Sequence, residues 1–201
     1  MMNEISLGGI LMNRFVRYWC QLMIENNGDF VHKRKLSLAN KLVITALMSA
    51  LATMFQAAGN LIPGIGLFIS PFATLPIFLA ICYSNRDGVL SYLLTILLLF
   101  IIEPSELIVF PFTTGLLGIA LGLSFIQFKR RIWVISFSAI CLLIGITIVL
   151  DIFRFPVLGP TIHTTMDIKI ILSIFILSFL YCWIYAGLCR ILLNRLYKVL
   201  F

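Results

Sequence analysis

The sequence predicts an all-α polytopic membrane protein: six transmembrane helices in a compact bundle, with both termini in the cytoplasm. Three observations carry this. The first is composition: 61% of residues are hydrophobic, 11% are charged and mean hydropathy is +1.09. Soluble domains carry roughly 25% charged residues, so the surface of a water-soluble globule could not be covered here. In hydrocarbon the surface needs no charge, provided that backbone polar groups pair within helices. The second is a series of six apolar runs. The third is the distribution of Lys and Arg around them.

Residues 1–41 form a basic cytoplasmic segment that ends in His32-Lys33-Arg34-Lys35. It lacks the continuous apolar core and small-residue cleavage site of a signal peptide. Gly8-Gly9 is encodable by GGAGGN, a ribosome-binding sequence at suitable spacing before Met12. Translation is therefore expected to start at Met12, with residues 1–11 untranslated, which the mass of the native N-terminus would test. Arg14 to Trp19 read either as the start of an interfacial amphipathic helix or as a disordered tail.

Residues 42–201 form the membrane domain. A span needs about 20 residues to cross roughly 30 Å of hydrocarbon. The first predicted helix covers Leu42 to Leu61 and stops at the turn Pro63-Gly64-Ile65-Gly66. The second covers Phe68 to Tyr83, with Pro71 near its start and Pro76 inside. The third, Val89 to Ile102, is short for a span. The fourth runs from Leu107 to Phe128 with Pro111 in its first turns, the fifth from Ile132 to Ile152, and the sixth from Ile168 to Leu193. The longest connection, Phe153 to Asp167, lies between the last two.

With the N-terminus inside, 13 of the 15 Lys and Arg residues fall on cytoplasmic segments, and only Arg154 and Lys169 fall outside. This is the positive-inside pattern, and it requires an even number of spans. The basic excess faces anionic lipid, so no nucleic-acid partner is needed to explain it. Four acids, Glu103, Glu106, Asp151 and Asp167, collect at the outer side.

No HExxH, GxSxG or Walker sequence is present, and no carboxylate pair sits deep in a helix. No enzyme activity, cofactor or metal site is expected. The cysteines, Cys20, Cys82, Cys141, Cys182 and Cys189, form no CxxC pair, and four of them lie in apolar runs as buried thiols would. The outer side offers the candidate binding residues. Gln56 and Asn60 stand four apart on one helix face. Glu103-Pro104-Ser105-Glu106 breaks the chain, Asp151 and Arg154 end the fifth helix, and Phe110 and His163 lie nearby in sequence. Two readings stay open: a polar pocket facing outward, or solvated helix ends and caps. Phe68, Phe72, Phe112, Phe153 and Phe155 likewise read as ligand-stacking residues or as an interfacial belt. Trp183 and Tyr185 read as packing residues. Ala46 and Ala50 form an AxxxA, extended by Ser49, Thr53 and Ala57, that admits close approach of another helix. Gly115, Gly118 and Gly122 form a similar face, read as internal packing.

From Lys41 to Phe128 the chain resembles the substrate-binding S components of energy-coupling factor (ECF) transporters, which import vitamins and related micronutrients in prokaryotes. The AxxxA of Ala46 and Ala50 carries the resemblance, with the Pro-Gly loop and the run Ser70-Pro71-Phe72-Ala73-Thr74-Leu75-Pro76-Ile77-Phe78-Leu79-Ala80. So do the turn Asn85-Arg86-Asp87-Gly88, the acidic-Pro loop and the run Gly115 to Gly122. The resemblance implies a non-enzymatic protein that binds a small molecule from outside. It implies a pocket built from the loop after the first helix and from the fourth to sixth helices. Its partners would be a membrane coupling subunit, met through Ala46 and Ala50, and two cytoplasmic ATPases, and transport would proceed by toppling in the bilayer. Related S-component-like families share the pattern, so a structural or assembly role is the alternative.

Overall fold

The computed structural model describes residues 37–62, 64–152 and 168–200, and every element among them is helical. These are α1 (Leu38–Leu61), α2 (Gly66–Ile69), a 3-10 turn (Ser70–Ala73), α3 (Thr74–Tyr83), α4 (Asn85–Ile102), α5 (Glu106–Phe112), α6 (Thr114–Gln127), α7 (Arg131–Asp151) and α8 (Ile168–Leu200). Five stretches are long and apolar enough to cross a membrane: α1, α4, α5 with α6, α7, and Ile171–Leu196 of α8.

The helix α1 begins four residues before its predicted start because Ser37 caps it, its side chain accepting from the Asn40 N–H at 3.4 Å. Its buried face is small and polar: Thr45, Ser49, Ala52, Thr53, Gln56, Ala57 and Gly59. The hydroxyls of Thr45, Ser49 and Thr53 donate back to carbonyls one turn earlier, at 2.8–3.0 Å, and so need no partner from another helix. Leu42, Val43, Leu47 and Met54 point the other way and are more than half exposed. Small groups inside and large apolar groups outside is an arrangement suited to lipid, where burying leucine has no advantage over leaving it in hydrocarbon.

The second apolar run is shorter than the others. Ser70–Tyr83 is one 3-10 turn followed by α3, about 21 Å at the α-helical rise against roughly 30 Å of hydrocarbon. It is also enclosed on several sides, with Ile77, Phe78 and Ile81 fully buried. Ile81 lies between Gly88 of α4 and Gly122 of α6, and Ile77 lies against Gly118, so that a Cβ at any of the three glycines would collide with an isoleucine side chain. The internal packing role expected of the Gly115–Gly122 face is what the structure shows.

The fourth run does not form the single helix expected. It breaks at Thr113 (φ −117°, ψ −94°) into α5 and α6. Pro111 has no N–H to give to the preceding turn, and its own carbonyl accepts from the Tyr92 hydroxyl at 3.1 Å. Beside the break, α7 presents Gly145, where a side chain would overlap the Phe112 carbonyl.

The core has two parts. Phe78 and Phe125, edge to face at 5.1 Å, pack with Leu117, Leu121, Val134, Ile135, Cys182 and Tyr185. Ala52, Ala57, Ala73, Ile77, Leu99 and Phe110 form the second. The exterior of α4, α7 and α8 carries Leu93, Leu97, Phe100, Ile140, Ile144, Leu172, Ile176, Leu180 and Ile184, all about half exposed or more. Tyr185 packs inside, stacked on Tyr181 at 4.5 Å, whereas Trp183 lies at the surface, 37% exposed. An apolar surface of this extent is far beyond what soluble monomers carry.

Candidate functional site

A polar network joins one end of α1 to the broken helix. Thr45, Ser49, Ala52, Thr53 and Gln56 share the inward face of α1, so Gln56 enters the bundle at 1% exposure. Its amide Nε2 donates to Glu106 Oε2 at 2.7 Å, and its Oε1 accepts from Thr114 Oγ1 at 2.7 Å. One amide thus bridges the first residue of α5 and the first of α6. The second Glu106 oxygen, Oε1, faces the backbone of Gly59, 3.5 Å from where a Cβ would stand, with Ser70 Oγ beside it. Glu106 is 9% exposed.

One turn along α1, Asn60 Nδ2 donates to Ser105 Oγ at 2.7 Å, and Ser105 Oγ donates to Glu103 Oε1 at 2.6 Å. This second pair is exposed and the first is buried, so the network grades from the surface of the bundle into its interior.

Of the residues singled out in the sequence, Gln56, Asn60, Glu103 and Glu106 come together. Phe110 lies beneath them, fully buried and stacked on Tyr92 at 5.9 Å. Asp151 ends α7 in an exposed position, outside this network. Arg154 and His163 lie outside the described residues, as do Phe153 and Phe155. Phe68 is 80% exposed, and Phe72 packs on Phe55 with ring centres 6.5 Å apart. Sequence reading named Ser105 only as part of the acidic loop and missed Thr114 and Tyr92. A signal for Thr114 existed: Glu106, Phe110 and Thr114 recur at a spacing of four, which marks one helix face.

Ala46 and Ala50 are exposed on the outward face of α1, among Leu42, Val43, Leu47 and Met54. Ser49, Thr53 and Ala57, grouped with them in sequence, belong instead to the buried face. Helix phase separates the two sets.

Glu106 and Glu103 make the network rich in acceptors. Among the described residues, no three His, Cys, Asp or Glu side chains gather as metal ligands, and the four cysteines present are free thiols. Compared with known proteins, the chain matches no family model, no curated protein and no solved structure.

Proposed function

We propose that the chain is a multi-pass cell-membrane protein with cytoplasmic termini that serves as the high-affinity binding subunit for uptake of a vitamin or similar micronutrient. In this reading it is not itself an enzyme. It works with a membrane coupling subunit and cytoplasmic ATPases that supply the energy. The observation that carries the reading is the Gln56–Glu106–Thr114 network, a buried carboxylate and amide at one end of the bundle. An ionisable side chain buried in a membrane bundle is costly and is read first as part of a functional site. By the positive-inside pattern this end faces outward. The exposed Ala46 and Ala50 support a coupling-subunit contact on the opposite face of the same helix.

The test is mass spectrometry of the protein purified in detergent, which should reveal a co-purified small molecule at near-stoichiometric amount. A second expectation concerns the partner. Ala46→Leu or Ala50→Leu should lower recovery of a coupling subunit about tenfold, since overpacking a close helix contact costs roughly 1–3 kcal/mol. Ligand binding should be unchanged in both variants. Undiminished recovery in both would remove the assigned contact.

A structural or assembly role has one observation in its favour. Both ends of the Gln56 amide are taken up by the protein's own side chains, and Phe110 beneath is fully buried. Ligand-free preparations would favour that role.

A further inference from the structure

We infer that residues 103–109 form a hinged flap over the polar network, pinned to α1 by Gln56 and Asn60. The segment lies between two departures from helical geometry, at Glu103 (φ −147°, ψ 80°) and at Thr113. Its two ends are held differently. The trailing end is fixed by packing: Phe110 is fully buried, Tyr92 donates to the Pro111 carbonyl, and the Phe112 carbonyl lies against Gly145. The leading end continues from α4 through Glu103, whose N–H donates to the Leu99 carbonyl at 2.8 Å, and is otherwise held by side-chain hydrogen bonds. Among the described residues, those that Glu103–Glu106 make outside their own segment run to α1: Glu106 to Gln56, and Ser105 to Asn60. Pro104 and Ser105 are exposed, and Leu107, Ile108 and Val109 are half-buried.

A short segment joined to α4 at a non-helical residue and fixed at its other end by apolar packing swings about those two ends once its two polar contacts to α1 are released. Pro111 places the missing backbone hydrogen bond at the packed end. Gln56 also holds Thr114 on the far side of the break, so the same amide registers the flap against the stationary α6. Release of the two pins uncovers Glu106 and Gln56 while α6 stays in place.

Hydrogen–deuterium exchange of the full-length protein in detergent micelles, with no ligand added, reads this separately from the ligand proposal. Gln56→Leu should speed amide exchange across 106–110 by about tenfold or more, the effect of losing a hydrogen bond to a charged group on local opening. Exchange across 116–127 in α6 should remain as in the wild type. Asn60→Ala removes an exposed contact and should speed exchange at 105–107 alone. Unchanged exchange at 103–110 in both variants would overturn the flap. So would an equal acceleration through α6, which would make Gln56 a general support of the bundle. Should Gln56→Leu fail to fold, Asn60→Ala decides by the same local criterion.

Discussion

Gly145→Ala is expected to destabilise the bundle by about 3 kcal/mol, near the upper end of overpacking penalties. In an exposed helix interior the same change would gain roughly 1 kcal/mol from helix propensity. Here the added methyl meets the Phe112 carbonyl, a backbone group that cannot rotate away as a side chain can. Gly187→Ala on α8 is the internal control. A Cβ there meets only the end of the flexible Arg131 side chain, at 3.6 Å, an ordinary contact. Its effect should therefore be neutral to stabilising, up to the roughly 1 kcal/mol of helix propensity. Equilibrium unfolding in mixed micelles measures both, followed by the thiol reactivity of Cys82, Cys182 and Cys189, which are buried in the folded bundle. Equal stabilities for the two variants would show that α7 does not pack against the break through Gly145.

The second large effect is at Gln56. Gln56→Leu should cost about 2 kcal/mol, because it leaves the buried Glu106 carboxylate without its amide donor. Thr114→Val removes only a neutral contact to the same amide and should cost nearer 0.6 kcal/mol, the average for hydrogen bonds between membrane helices. The double variant Gln56→Leu with Glu106→Leu should return to within about 1 kcal/mol of the wild type, since replacing both partners by apolar groups removes the unmet polar group. The pair must therefore be strongly non-additive. Additive losses, measured by the same unfolding assay, would mean that the Gln56–Glu106 bond carries no weight in the folded state.

Much of the fold was legible in the sequence. Long apolar runs with few charges mark membrane-length helices whatever their neighbours are, because the cost of placing backbone in hydrocarbon is met within each helix. The boundaries held within a few residues where a local signal existed, as at Leu61 and Ile102. They slipped where capping or length ruled: Ser37 moved the start of α1, and α8 continues to Leu200, seven residues past its predicted end. Pro111 was visible, but whether it kinks or breaks a helix depends on what receives the freed carbonyls, and Tyr92 is nineteen residues away.

The candidate site divides in the same way. That Gln56, Asn60, Glu103 and Glu106 belong to one end of the bundle followed from the order of apolar runs, a property of the chain read locally. Which of them touch did not. Gln56 meets Glu106 across 50 residues and Thr114 across 58, and only the packing of α1 against the broken helix sets those pairs. Likewise Ala46 and Ser49 are close in sequence yet face opposite ways, because helical phase relative to neighbouring helices decides which small residue packs inside. Hydropathy is additive along a chain, so the sequence by itself determined an all-helical, lipid-suited architecture. Side-chain pairing depends on the relative rotation of helices, and so the tertiary structure alone decided the network and the flap it holds.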